Sequence, residues 1–284
     1  MNKRMITMSL LGSSSSLGLN WIYDKELMSS FSKKNEVLFL PIQHQLYNQA
    51  KNGFNVYKNH KIGDLDFMGE VMYIFHKFLI SNKNNSNFKE FLYQHIGPDS
   101  EYDGYIEQYG KELIKSVSNG KLFTDHVDKQ LIGCAMFIIG YAHNLEIDTI
   151  HNYTKVLTAY DQTLNFIHSL NYIFNNINET NKTSVLKESI KFLGNDYKGK
   201  MEASLTKIDI DEFIKNYSGI ACGLEQSFPL IFYIVNNSNT YKDALRVNSS
   251  LGGASSARGL VIGAIYSITE EVPIDFKSIL NKKI

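Results

Sequence analysis

The sequence has little cysteine, little proline and no long apolar run, and each scarcity excludes something. Its 284 residues contain two cysteines, Cys134 and Cys222, in the apolar stretches IGCAMF and GIACGL. With no CxxC and no Cys/His spacing suited to zinc, a disulfide framework and a zinc module are both excluded. Both thiols read as buried side chains in a reducing compartment. Four prolines suit a mostly helical chain. The opening MNKRMITMSLLG passes from a short apolar run into four serines, which fits neither a signal peptide nor a membrane span. A cytoplasmic protein without a membrane partner is expected.

Charge bias is also missing. Twenty-nine Lys and Arg balance 29 Asp and Glu, so the composition favours neither nucleic acid nor an anionic membrane as a partner. The eight histidines show no HxxxH or HExxH spacing, and His76 reads as a satisfied residue of a buried helix. There is no Walker pattern and no Gly-x-Gly-x-x-Gly after a strand. Gly253-Ala254-Ser255 lacks the second glycine of a Gly-x-Ser-x-Gly nucleophile turn.

What is present is apolar periodicity in steps of three and four. A chain that is 43% hydrophobic and this long can bury a large core, and we expect one domain over 1–284, an all-α orthogonal bundle. Phe67, Val71, Ile74, Phe75, Phe78 and Leu79 predict a buried helix over about 68 to 80. Residues 88 to 119 predict two short helices joined by GPDSEYDG. The segment 124–146 predicts a central helix apolar nearly all round, and Ile150 to Ile167 one long amphipathic helix. SVLKESIKFLG predicts a helix ending at Gly194, and GIACGLEQSFPLIFYIVNNS a buried helix containing Pro229. Thr240-x-x-Asp243 predicts a capped helix start. Residues 29 to 62 show no dependable period and predict an ordered surface loop, and Ser13 to Ser16 a polar loop or a helix N-terminus.

Two places carry candidate chemistry. Leu251-Gly252-Gly253-Ala254-Ser255-Ser256 opens a helix with small residues, and N–H groups exposed at such an end favour an anion or polar ligand. Ser255, Ser256 and Arg258 are then either a capped helix start with an exposed arginine or an anion-binding cleft in which Arg258 clamps bidentately. The acids Asp64, Asp66 and Glu70 lie within seven residues at the start of the 68–80 helix. They are either solvated carboxylates favoured by the helix dipole or an acid/base pair in a cleft.

In sequence order, Gly12-Ser13, WIYD (Trp21 to Asp24), GDLDFMGE (Gly63 to Glu70), YDGYIE (Tyr102 to Glu107) and SLGGASSARG (Ser250 to Gly259) together resemble the ADP-ribosylglycohydrolase family. The resemblance implies an all-α fold of that family and a hydrolase holding two magnesium ions between a Thr-Asp-Asp helix start and an Asp-x-Asp-Thr turn. It also shows where this chain departs. Ser13 stands for an Asp, Asn20 for a His, Met68-Gly69-Glu70 for Thr-Asp-Asp, and Ala254, Ser256 and Ala257 for Asp, Asp and Thr. Gln130 and Ala159 stand where further Asp and His residues are common, while Asp161 keeps its acid.

Magnesium needs oxygen ligands, chiefly carboxylates, and Glu70 is the one acid at the two ligand-bearing places. We therefore expect no metal site, no cofactor and no magnesium-dependent hydrolysis. The expected role is binding, regulation or structure. An ADP-ribose-like small molecule would be held by Asn20, Gly252, Gly253, Ser255, Ser256 and Arg258 beside the acids. The alternative is a divergent ribosyl hydrolase in which Glu70, Asp64 or Asp66 activates water without metal. A third reading is a homo-oligomer whose 17 Tyr and 17 Phe supply interface anchors.

Overall fold

The computed structural model describes residues 1–81 and 87–284, so the polar run 82–86 between two expected helices lies outside the described residues. Among those described, the chain is all-helical, with fifteen α-helices, no strand and two isolated bridges, Ile22 with Gly53 and Gln130 with Gly223. The helices are α1 Lys3–Ser16, α2 Lys25–Ser32, α3 His44–Gln49, α4 Phe67–Ile80 and α5 Phe88–Ile96. There follow α6 Gln108–Ser118, α7 Ile132–Ala142, α8 Ile147–Thr154, α9 Thr163–Asn176 and α10 Lys182–Ser189. The last five are α11 Asn195–Ala203, α12 Ile210–Phe213, α13 Leu224–Asn237, α14 Tyr241–Ser250 and α15 Ser255–Tyr266. No described helix is long and apolar enough to cross a membrane.

The core is organised where α1 and α15 cross. Both helices are buried along most of their length, and small residues face each other at the crossing. A Cβ on Gly12 would lie 2.0 Å from the Gly259 carbonyl oxygen, and one on Gly259 would lie 2.1 Å from that of Gly12. One turn along, a Cβ on Gly263 would meet the Met8 carbonyl oxygen at 2.1 Å. The two backbones are therefore in direct contact, with no side chain between them. Here Ser13 to Ser16 find their explanation. They form the last turn of α1 and are buried, neither a loop nor a helix start, because tertiary contact at this crossing admits only small side chains.

A large apolar cluster runs from Met5 to Phe276 around this pair, and a smaller one packs Leu17, Leu19, Ile22, Met28 and Tyr57. The smaller cluster lies beneath residues expected to form only a surface loop. Two short helices stand there, α2 capped by Asp24, whose carboxylate accepts from Leu27 N, and α3. Each is too brief to leave a readable period.

Two expected helices are shorter than their apolar patterns. The 124–146 helix is confined to α7, and the Ile150 to Ile167 stripe is divided between α8 and α9. The same interaction breaks both: Thr158 Oγ1 donates to the Asp128 carbonyl oxygen (2.8 Å) and accepts from Asp128 N (3.1 Å), tying the two segments side by side. Ala159 N donates to His126 O at 2.8 Å beside it. Backbone groups used across the pair are not available to a helix. Elsewhere the periods hold. α4, α5 and α6 occupy the expected places, and Thr240 Oγ1 accepts from Asp243 N to cap α14 (3.2 Å). α13 starts at Leu224 and contains Pro229, which cannot donate to the Glu225 carbonyl oxygen. Lys200 Nζ reaches that oxygen instead, at 3.5 Å. Cys134 is buried as expected, whereas Cys222 is half-buried; both are free thiols.

The crossing gives a direct prediction. Gly259→Ala forces two backbones apart and should cost about 3 kcal/mol or more in urea denaturation. Gly199, in exposed α11 with nothing within 4 Å of an added Cβ, serves as the control. Gly199→Ala should gain about 0.5 to 1 kcal/mol. Equal effects at the two sites would mean that the α1–α15 contact is looser than described.

Candidate functional site

The start of α4 separates the three candidate acids by role. Asp66 is the N-cap: its Oδ1 accepts from Gly69 N and from the Ser13 hydroxyl, each at 2.9 Å. Tyr57 Oη accepts from Phe67 N beside it (3.1 Å). Asp66 is 2% exposed, and burial lifts its pKa to about 6 despite the two donors. Glu70, one turn further, meets solvent at its tip. Burial raises its pKa too, and the Lys282 ammonium opposes that rise from 2.8 Å. Asp64, before the helix, accepts from Lys61 N (2.7 Å) and from Asn281 Nδ2 (2.8 Å).

Asp64 and Glu70 line a cleft of about 430 Å³; Asp66 lies behind its wall. Glu101, Tyr102, Asp103, Tyr105, Lys58, His60 and Lys282 complete most of the lining. Tyr102 Oη donates to the Tyr105 carbonyl oxygen at 3.0 Å, so the loop between them is braced internally. Trp21 packs edge-on to Tyr105 at 5.5 Å and holds a left-handed backbone angle, φ 66°. WIYD therefore supports the cleft from behind.

The Gly-Gly turn stands elsewhere. Gly252 and Gly253 have φ of 64° and 60°, a conformation that favours glycine. Gly253 N donates to Ile22 O (2.8 Å), Trp21 N to Gly253 O (2.7 Å) and Ala254 N to Ile220 O (3.0 Å). The side chain of Asn20 reaches across to accept from Ser256 N at 3.1 Å, capping α15 from a distant segment. Ser255 and Ser256 are buried, and their hydroxyls have no protein partner.

An anion clamp needs a guanidinium that solvent can reach, and Arg258 is fully buried. Its Nε donates to Asn248 Oδ1 (2.9 Å), and its two terminal nitrogens donate to Ile220 O (3.0 Å) and Gly252 O (2.6 Å). It ties α14, the Gly-Gly turn and the 219–223 loop together, which corrects both the exposed-arginine reading and the clamp. None of Asn20, Gly252, Gly253, Ser255, Ser256 and Arg258 lines the acid cleft. The expected ligand set is thus divided between a cleft and an interior scaffold.

Hard divalent cations find a poor donor set at the positions compared above. Met68, Ala254 and Ala257 carry no side-chain oxygen, and the Ser13 hydroxyl is engaged with Asp66. Among the described residues, no group of three or more His, Cys, Asp and Glu side chains is placed to hold a metal ion. Glu107 was not singled out by the sequence pattern; its carboxyl and that of Asp128 are buried, and burial raises both pKa values, Glu107 strongly. Lys282, Glu101 and Asp103 were missed as cleft residues too. Nothing local to Lys282 signals that it meets Glu70, because the contact is made only in three dimensions. No protein-family model matches the chain, and no curated protein gives a significant match.

The buried cap fixes a pH dependence. Asp66 has a folded pKa of about 6 against 3.8 for the free group, so the folded state binds the extra proton between those values. Its contribution is greatest below the lower value and is lost as pH rises through the upper one. Asp66→Asn keeps the Oδ1 acceptor and removes the charge. Wild type should therefore gain about 2 to 2.5 kcal/mol relative to the variant between pH 8 and pH 4. Denaturant melts of both proteins across that range measure it; a difference independent of pH would show that Asp66 does not titrate there.

Proposed function

We propose that the chain is a non-hydrolytic relative of the ADP-ribosylglycohydrolases that binds a small polar ligand in the cleft beside Glu70. The five motifs in family order support the kinship, and the all-helical architecture is compatible with it. The observation that carries the functional reading is the 2.8 Å ion pair between Glu70 and Lys282. Glu70 is the one carboxylate at the two magnesium-bearing places, and its counter-charge comes from the chain itself. Two divalent ions need several carboxylates to offset their lost hydration, whereas one carboxylate is balanced by one ammonium.

The cleft remains as the binding surface. Its carboxylates, tyrosines and two lysines offer charge, hydrogen bonds and aromatic faces, the usual means of orienting a small polar molecule. The Gly-Gly turn and Arg258 act in this reading as the scaffold that holds α15 in place behind it. ADP-ribose is the probe of the family's reaction, which the kinship suggests testing first.

A second reading has a specific observation in its favour. Burial raises the pKa of Glu70, as a general acid requires, and Asp64 lines the same cleft. It predicts slow, metal-independent cleavage of a ribosyl bond. The Lys282 ammonium works against it, because its attraction opposes the rise in the Glu70 pKa.

One experiment separates the readings. The protein is incubated with ADP-ribosylated protein in magnesium and in EDTA, and ADP-ribose titrations are followed calorimetrically in both buffers. We expect no release of ADP-ribose in either and no heat that depends on magnesium. Magnesium-dependent heat or turnover would overturn the proposal. Release in EDTA that Glu70→Gln abolishes would establish the metal-free hydrolase in its place.

A further inference from the structure

The cleft already contains a ligand-like group. Lys282 comes from a segment without regular structure, residues 281–284, which is fastened along the rim of the cleft. Asn281 N donates to Gly63 O (3.1 Å), and Asn281 Nδ2 donates to Ile62 O (3.0 Å) and Asp64 Oδ1 (2.8 Å). Beyond it, Tyr73 Oη contacts Lys283 O at 3.4 Å. Between these ties the Lys282 ammonium sits 2.8 Å from Glu70 Oε1 and 5.2 Å from the centroid of the Tyr73 ring. A largely buried carboxylate below and an aromatic face beside it are what binds an organic ammonium ion.

We propose that Glu70 and Tyr73 form a seat for an organic ammonium ion, and that Lys282 occupies it as an intramolecular plug which an external amine displaces. This rests on the reading of the cleft as a ligand site and narrows the ligand to a cation. The charges lining the cleft agree. Asp64, Glu70, Glu101 and Asp103 face Lys58 and Lys282, and burial lowers the pKa of His60, leaving it neutral at pH 7. With Lys282 withdrawn, four carboxylates line the cleft with one lysine, Lys58, while the Lys77 ammonium remains 5.8 Å from the Tyr73 ring on the same helix. Such a cleft attracts a primary amine and repels a pyrophosphate.

The plug also sets the strength of the effect. A tethered ammonium competes at an effective concentration in the millimolar range or above, so an external amine binds the intact protein weakly. Removing the tethered charge exposes the intrinsic affinity.

The test uses the full chain and Lys282→Met, which keeps the apolar stem and removes the ammonium. Each is titrated with n-butylammonium chloride and, separately, with sodium pyrophosphate, following amide shifts by NMR. The variant should bind the amine at least about tenfold more tightly than wild type. Glu70→Gln added to Lys282→Met should abolish that binding, and pyrophosphate should bind neither protein. Tyr73→Leu in the Lys282→Met background supplies an independent lesion should the Glu70 change disturb the fold, and it should weaken the amine several-fold. Equal amine affinity in wild type and Lys282→Met, amine binding that survives both lesions, or preferential uptake of pyrophosphate by the variant would overturn the seat. None of these results touches the magnesium experiment, which decides the non-hydrolytic reading separately.

Discussion

The contact on which the rest depends is that between the backbones of α1 and α15. Gly12 and Gly259 meet with no side chain between them, and Met8 and Gly263 repeat the contact a turn away. Dispersion falls steeply with separation, so such an approach gains many close atom pairs at once and tolerates no added methyl. It also determines position. Ser13, next to Gly12, reaches Asp66 and thereby fixes the first turn of α4 against α1. One turn along α4, Glu70 emerges into the cleft. At its own start α15 carries the Gly-Gly turn, which Asn20 and Arg258 secure. The cleft and the scaffold behind it are thus referred to one crossing.

Burial acts on both signs of charge in the interior. Arg258 keeps a charged guanidinium although burial lowers its pKa to about 10, and its donors go to two backbone carbonyls and one amide oxygen. Hydrogen bonds to a charged group contribute about 1.5 to 3 kcal/mol each. Three of them offset the several kcal/mol by which a buried ion is penalised. Replacing any one acceptor leaves the deficit in place. Burial likewise raises the pKa values of the acids Asp66, Glu107 and Asp128, although Asp66 accepts from Gly69 N and the Ser13 hydroxyl and Asp128 from Gln130 N and Nε2. Burial is the largest cause of each of these shifts.

Periodicity made much of the helical framework legible. Apolar steps of three and four located α4 within a residue or two, the GPDSEYDG turn separated α5 from α6, and the Thr240-x-x-Asp243 cap marked the start of α14. Periodicity failed where a tertiary contact competes with the local pattern. The serines of α1 prefer caps and turns in isolation, but the crossing requires small residues and uses them inside a helix. The stripe from Ile150 to Ile167 reads as one helix, yet Thr158 bonds sideways to the Asp128 backbone and splits it. Arg258 was misplaced for a related reason. Arginine is almost never fully buried unless paired, and its acceptors come from three places in the sequence that only the fold unites. Of the acids, the pattern identified the right helix start but could not separate the cap from the cleft residue four positions on.

A carboxylate in a partly enclosed cleft has three ways to be stable: bind a metal, bind a proton or face an organic cation. For Glu70 the first lacks ligands, since its neighbours at the compared positions are Met68, Ala254 and Ala257. The second is favoured by burial, which raises its pKa. The third is realised by Lys282, whose attraction opposes that rise and which therefore competes directly with the proton. Metal chemistry would fix the site to oxygen-rich substrates. A single ammonium fixes only a charge and a direction, and it is exchangeable for any other ammonium of similar reach. On the proposed reading, a lysine in place of a metal as counter-ion, more than the loss of any one acid, would separate a recognition site from a catalytic one.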